Sequence, residues 1–369
     1  MRPETESELA SLIRGARTRL TPVGGATRLL PGEGQGDRLS CVGLTGITLY
    51  EPAALTVVAR AGTQLAELNA TLAAEHQRLA FEPDEAEGST IGGVIAANAS
   101  GPRRVKDGAA RDSLLGVRFV DGQGEVVRNG GRVMKNVTGY DLVKLMAGSR
   151  GTLGVLTEVS LKTQPIPPCV VTLILAGLAP DQAVDAMTAA LTGPWDVTGA
   201  GRLPGGDTVL RLEGLEGSVR IRTETLVRRL GVFGTVEVAD GDAAFVALRQ
   251  VRREMIAAAG DGQGNNGEGG RAVWRIVCRP SQAPAVLHGL PGRSAVDWGG
   301  ALIWAVSPRG WVPDLPQGAF ATRVHGGPPL TVPLPAAAIA RLNDGLRAQF
   351  DPRSILAGAG VERIAGAGS

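Results

Sequence analysis

Cysteine is scarce in this chain: Cys41, Cys169 and Cys278 are its only three, each more than 100 residues from the next. No CxxC pair exists to hold zinc or an iron–sulfur cluster, and scattered thiols of this kind read as small buried apolar residues. Histidine is equally scarce. His76, His288 and His325 form no HxxxH or HxxE pairing, so a protein-ligated metal is not expected. Charge of one sign is lacking too, with a net of +2 and no block of five Lys/Arg, which excludes a nucleic-acid partner. No run of about 18 apolar residues suggests a transmembrane helix. The charged segment Met1 to Arg19 lacks the apolar core of a signal peptide. These absences lead to the expectation of a cytoplasmic protein, peripheral at the inner face of a membrane only through partner subunits.

What the chain does have is glycine, 53 residues in 369, against 4% aromatics. That much glycine implies tight turns and close backbone approaches. The length exceeds what one hydrophobic core usually organises, so two domains are expected. Leu65, Leu68, Leu72 and Leu79 mark an amphipathic helix over Thr63 to Leu79, with Thr63 as a candidate N-cap and His76 as an ordinary helix residue. Leu55 to Ala61, Leu115 to Val120 and Leu153 to Leu161 read as strands. The mixture lacks a regular βαβ alternation, which favours an α+β domain over 1–165. Gln164 to Pro168 (QPIPP) breaks structure and opens a second domain over 166–330. There, strands and helices alternate in two rounds, the second a weaker copy of the first, which suggests two antiparallel sheet units faced by helices. A C-terminal segment over 331–369 holds a helix with Ile339, Leu342 and Leu346 on one stripe.

Between the two rounds, Gly262, Gly264 and Gly267 spell a literal GxGxxG inside a loop with no apolar residue. A dinucleotide fingerprint needs a strand before it and an apolar helix after it, so this match is discounted. More telling is Thr21 to Arg28 (TPVGGATR). Pro22 fixes one backbone angle, Gly24 and Gly25 permit positive φ, and successive N–H groups can converge on a phosphate. A second loop, Glu87 to Gly101 (EGSTIGGVIAANASG), lets Ser89 or Thr90 cap a short helix that begins at Ile91, Gly92 and Gly93. Asn98 and Ser100 place hydrogen-bonding side chains at its other end. Taken alone, either loop is as readily a tightly packed turn.

In order and spacing, PVGGAT, GSTIGG and Gly139 to Thr157 (GYDLVKLMAGSRGTLGVLT) resemble the FAD-binding domain shared by D-lactate dehydrogenases, glycolate oxidases and vanillyl-alcohol oxidase, the PCMH type. Ser100 to Arg104 (SGPRR), Arg111 to Val117 (RDSLLGV) and Met134 to Asp141 (MKNVTGYD) are similar to the FAD-binding E subunits of glycolate oxidases, more properly glycolate dehydrogenases. The resemblance implies an α+β fold: a two-subdomain PCMH-type FAD-binding domain, an α+β cap domain with an antiparallel sheet, and a C-terminal helix returning to the FAD domain. It implies that Pro22, Val23, Gly24, Gly25, Ala26, Thr27, Ser89, Thr90, Ile91, Gly92 and Gly93 hold the pyrophosphate of FAD. Asn98, Ser100 and Gly101 would lie along the isoalloxazine, and Gly154, Val155 and Thr157 would meet the cofactor through backbone groups. Ala26 stands where the family pattern has a third glycine. Relatives that tether FAD covalently often carry a His or Cys in the first loop; none is there, so non-covalent FAD is expected.

Oxidising a 2-hydroxy acid needs a cation for the carboxylate, a base for the hydroxyl proton and the flavin as hydride acceptor. Arg103, Arg104, Lys135 and Tyr140 are the candidates by their place in or beside the family motifs. The histidine cluster and metal of related dehydrogenases are missing, with His325 the only histidine to consider, which suggests that the main hydroxy-acid site lies on a homologous D-type flavoprotein partner. The resemblance further implies an iron–sulfur F-type subunit as electron acceptor. A self-sufficient FAD-dependent oxidoreductase and a scaffold subunit with structural FAD are the alternatives.

Overall fold

The computed structural model describes residues 1–33, 36–131, 140–260 and 270–356. Its contacts group into two compact units. Among the described residues the first comprises Met1–Gly101, Gly108–Ile166 and the chain from Pro335 on, and the second Pro102–Asp107 and Pro167–Leu334. Nothing in the sequence suggested that Pro102–Asp107 would leave the first unit for the second.

In the first unit the β-branched run Thr56–Arg60 forms the inner part of a five-stranded sheet, in the order Ile47–Glu51, Thr56–Arg60, Val155–Lys162, Leu114–Val120, Val126–Gly130. Every neighbouring pair is antiparallel. One face is covered by Leu65–Ala74 and Ile91–Ala96, whose Leu65, Leu68, Leu72, Val94 and Ile95 pack with Val57, Phe119 and Val159. The predicted helix is shorter than its apolar pattern. It ends at Ala74, because His76 takes a left-handed φ of 52° and Gln77 turns into a small strand pair with Pro165. Gln64, not Thr63, stands at its N-cap; the Thr63 hydroxyl instead accepts from the Gly46 N–H at 3.0 Å.

A separate parallel pair, Leu20–Val23 with Asp37–Ser40, brackets the first glycine loop. The helix Glu6–Gly15 packs beside it through Leu9 and Ile13 and is capped by Thr5, which accepts from the Glu8 N–H. The C-terminal helix Ala337–Phe350 contacts this unit's core only through its last turns: Leu346 and Phe350 pack, while Ile339 and Leu342 stay 51% and 64% exposed. Chain beyond it returns to Leu20, whose N–H donates to Ile355 O at 2.7 Å.

The second unit is one nine-stranded sheet rather than two. Its order is Glu237–Asp240, Cys169–Leu175, Thr208–Gly214, Val197–Arg202, Ser294–Asp297, Leu302–Pro308, Arg271–Val277, Phe320–His325, Thr331–Val332. The first four and the next four strands are mirror images in topology, so the two rounds of the sequence are a true repeat. They join edge to edge where Arg202 pairs with Val296. Edge pairing of this kind satisfies backbone groups that two separate sheets would leave exposed, which is why the copies fuse. Helices Pro180–Leu191, Glu216–Leu230 and Ala283–His288 cover one core, lined by Leu173, Met187, Leu212, Leu226, Trp274 and Ile303.

Candidate functional site

The two glycine loops interlock. A Cβ added at Gly24 would stand 2.0 Å from Thr90 Oγ1, and one at Gly25 would stand 1.8 Å from the Gly88 carbonyl oxygen. Gly24 meets the Thr90 side chain and Gly25 meets backbone, both at distances that leave no room for a side chain. Around this contact opens a cleft of about 720 Å³ lined by Pro22 to Leu29, Glu33, Cys41, Ala61, Thr90, Gly92, Gly93, Ala96, Ala97, Arg150, Gly151 and Gly154 to Leu156.

The donors of the two loops differ in kind. Thr90 caps the helix Ile91–Ala96, as its sequence suggested, through Gly93 N–H at 3.3 Å. The other first-turn donors are also taken: Ile91 N–H by Thr63 O at 3.0 Å and Gly92 N–H by Ala61 O at 2.8 Å. That helix N-terminus therefore has little left for a phosphate, which corrects the idea of two equivalent cradles. By contrast, the N–H groups of Gly24, Gly25 and Ala26 have no hydrogen-bond partner among the described residues. Consecutive free donors beside an open cleft make an anion nest. Ala26 sits at φ 56°, the left-handed region in which a glycine costs nothing. Replacing Ala26 by Gly should raise stability by about 1 kcal/mol, read as a shifted urea midpoint at constant slope.

Two arginines that the sequence reading did not assign to the site hold the loop. The Arg28 guanidinium donates to Thr27 Oγ1 at 2.9 Å and also to Ser89 Oγ and the Asp84 carbonyl. Arg150, itself at φ 53°, forms a two-pronged ion pair with Glu33 at 2.5 and 2.6 Å and donates to Arg28 O at 2.6 Å. The local sequence Arg150 to Leu153 (RGTL) carried no signal of this, since its partner lies 117 residues away.

Other predicted positions are placed elsewhere. Ser89 is buried beside Arg28 and Thr27, and Ile91 lies wholly in the core. Asn98, at φ 47°, accepts from Arg111 N–H, and Ser100 Oγ accepts from Ala110 N–H at 2.9 Å, so both brace the turn after the helix. Gly101 is pinned by its N–H to Phe81 O, with no room for a Cβ beside Glu82 O. None of these three lines the cleft. Gly154 and Val155 do. Thr157 does not: its hydroxyl bonds Glu6 Oε1 at 2.6 Å and its carbonyl accepts from Ala61 N–H.

Burial raises the Glu6 carboxyl pKa, but hydrogen bonds from Arg118 and Thr157 and the Arg118 charge outweigh it and leave it lowered. A carboxylate lowered in the folded state adds stability above its unfolded pKa, and that stability is lost as pH falls through the lowered value. Glu6→Gln should therefore narrow the stability difference between about pH 7 and about pH 3, measured by urea unfolding across that range.

The proposed substrate residues separate. Arg103 is buried in an ion pair with Glu213 at 2.5 and 3.2 Å, so it is a structural cation rather than one free to meet a carboxylate. Arg104 stacks 4.2 Å over the Trp298 ring, which Arg275 also approaches at 5.4 Å. Trp298 adopts φ 53°, an uncommon conformation for a bulky residue. Tyr140 is 89% exposed, and among the described residues Asn129 and Leu142 donate to its carbonyl. Lys135 lies outside the described residues, as do Gly262, Gly264 and Gly267. His325 Nε2 contacts Gly260 O at 2.8 Å. Among the described residues no His/Cys/Asp/Glu group is placed to hold a metal, and no helix is long and apolar enough to cross a membrane.

Comparison with known proteins places this geometry. The family described as FAD binding domain matches residues 1–130, which contain both glycine loops. Glycolate oxidase subunit GlcE of Escherichia coli (strain K12) is 36% identical over 314 residues, 83% of this chain and 82% of that protein. The chain belongs to the GlcE family. Its cofactor is FAD, and it stands among FAD-linked oxidoreductases. Beyond GlcE, a D-lactate dehydrogenase of Anaerostipes hadrus is 39% identical over 171 residues, 46% of this chain and 34% of that enzyme. Glycolate oxidase subunit GlcD of Bacillus subtilis (strain 168) is 42% identical over 104 residues, 28% of this chain and 22% of that subunit. An alkyldihydroxyacetonephosphate synthase structure shares the fold, with a TM-score of 0.68 at 15% identity, over 96% of this chain and 76% of that one. The α+β, PCMH-type architecture expected for a GlcE chain is thus the one observed.

Proposed function

We propose that this chain is the FAD-carrying E-type subunit of a glycolate oxidase complex, which oxidises glycolate or D-lactate to the 2-oxo acid and passes electrons to an iron–sulfur subunit. The observation that carries this reading is the identity to GlcE, because it runs through 83% of the chain and so includes the second unit. The cleft fits the cofactor: three adjacent free N–H groups suit a pyrophosphate, and glycines stand where a Cβ would close the space. Bound FAD supplies the hydride acceptor.

In this reading Pro22, Val23, Gly24, Gly25, Ala26 and Thr27 hold the pyrophosphate, with Arg28 adding positive charge at the loop's end. Ser89, Thr90, Gly92 and Gly93 shape the cleft from the other side. Gly154 and Val155 meet the adenosine half, and Asn98, Ser100 and Gly101 set the turn on the isoalloxazine side. Of the substrate candidates, Arg103 is engaged by Glu213 whereas Arg104 is oriented by the Trp298 indole, and we assign Arg104 to the substrate carboxylate in the reading in which this chain itself oxidises a hydroxy acid. The hydroxy-acid site proper is assigned to a homologous D-type partner.

Cys41 is a thiol in the cleft wall. Burial pushes its pKa up to about 12, so it is not a thiolate at neutral pH and does not attack the flavin. Acid precipitation should therefore leave all flavin in the supernatant and none on the protein, read by absorbance.

The proposal is tested by anaerobic mixing with glycolate and a dye acceptor. Flavin of the isolated chain should stay oxidised and should bleach once the partner subunits are added. Bleaching of the isolated chain would make it a self-sufficient oxidoreductase. No bleaching of this FAD even in the turning-over complex would make it a scaffold.

A further inference from the structure

The first unit holds a second cleft, of about 930 Å³. Gly24, Gly25 and Thr90 border both this cleft and the first, so the contact between the two glycine loops is their common wall. The remaining linings differ. Where the first cleft has Ala96, Arg150 and Leu156, the second has Arg2, Arg38 and Glu67.

Backbone contacts hold its two arginines in place. Ser40 N–H, at the end of the strand Asp37–Ser40 that carries Arg38, donates to Met1 O at 2.8 Å. A Cβ on Gly43 would stand 2.3 Å from Pro3 O, so the chain on either side of Arg2 lies tightly against this corner. Gly62 fixes another side of the cleft: its N–H donates to Leu44 O at 2.7 Å, and a Cβ there would stand 2.2 Å from Cys41 O. Gly88, at φ 73°, has nothing within 4 Å of an added Cβ and leaves the cleft open beside it.

Neither the Arg2 nor the Arg38 guanidinium has a hydrogen bond or ion pair among the described residues. Gly34 and Gln35, outside the described residues, carry no charge. The Ser40, Thr45 and Gln64 side chains line the same cleft and also have no partner among the described residues. Glu67 is the one carboxylate on the lining, Val42 its one large apolar side chain, and no aromatic ring borders it.

We propose that this second cleft binds a phosphorylated sugar or polyol, with Arg2 and Arg38 on the phosphate and Ser40, Thr45, Gln64 and Glu67 on the hydroxyls. Two guanidiniums from separate segments facing one volume suit a doubly charged phosphate better than a single carboxylate. A nucleobase would find no ring to stack on, whereas hydroxyls meet both donors and acceptors, the Glu67 carboxylate among them. The site does not rest on the glycolate reading.

Ribose 5-phosphate is titrated by calorimetry into the purified full chain, FAD-loaded and flavin-free, with inorganic phosphate and ribose as separate arms at matched ionic strength. In both forms it should saturate, at least about fivefold more tightly than inorganic phosphate, while ribose alone should not saturate. Arg2→Gln and Arg38→Gln, on exposed side chains, should each weaken binding at least about fivefold, and the double variant should not saturate. Glu67→Gln should narrow the preference over inorganic phosphate. Arg229→Gln, exposed on the second unit, is the control for bulk charge and should bind as wild type does. No saturation by ribose 5-phosphate, equal binding of inorganic phosphate, or wild-type binding in the double variant would overturn the site. Binding by the flavin-free chain that FAD abolishes would put the phosphate on the Gly24–Ala26 loop instead and overturn it equally.

Discussion

Gly25→Val should strip the chain of FAD, weakening binding at least 100-fold, equivalent to about 2.7 kcal/mol. The reason is geometric. A Cβ at Gly25 stands 1.8 Å from the Gly88 oxygen and 2.5 Å from its carbonyl carbon, so two backbone segments must part by more than an ångström. That displacement moves the N–H groups of Gly24, Gly25 and Ala26 together, and with them the anion nest. Gly15, with nothing within 4 Å of an added Cβ, is the control: Gly15→Ala should keep its flavin. The check is the ratio of flavin to protein absorbance after purification, with far-UV circular dichroism to establish that both variants fold. Full flavin content in Gly25→Val would mean that the loop contact does not position the cofactor.

Arg103→Met should destabilise the protein by about 3 kcal/mol, the lower end for breaking a buried ion pair. Glu213, with its side chain 3% exposed, would lose its two-pronged partner. Arg211 stays at 3.9 Å from it, a fully buried residue that also bonds Thr198 and approaches Asp242 at 3.8 Å. This residual contact is why the loss stays near the lower end. Arg211 rests 4.4 Å over the Phe245 ring and cannot swing to replace Arg103. Changing both partners, Arg103→Met with Glu213→Leu, should recover part of the stability, since the stranded carboxylate is gone while Arg211 keeps Asp242. Urea unfolding of the two singles and the double measures this as a coupling energy. Additive effects would show that the pair does not act as a unit.

The glycine loops were legible because Pro, Gly and Thr at fixed spacings state backbone geometry directly, with no distant partner required. Thr90 as a cap and the strands at Leu114–Val120 and Val155–Lys162 were legible for the same reason: each is a local pattern of period or capping. Contacts made over long sequence separations were not. Thr157 is expected to meet the cofactor through its backbone, but the Ala61 N–H takes its carbonyl, and Arg103 reads as a substrate cation, but Glu213, 110 residues on, closes over it. The helix at Ile91 had a phosphate-binding signature, yet Ala61 and Thr63 use its donors, and only the tertiary fold brings them there. The merging of two sheet rounds into nine strands depends on a single bridge, Arg202 with Val296, that no strand periodicity encodes.

The central claim is that the loop at Gly24 to Ala26 holds FAD without a covalent bond, and equilibrium titration of the flavin-free chain with FAD tests it most directly. Saturation at one FAD per chain, recovery of that FAD by acid, and no saturation by NAD under the same conditions are expected. Failure to bind FAD, or equal binding in Gly25→Val, would contradict it.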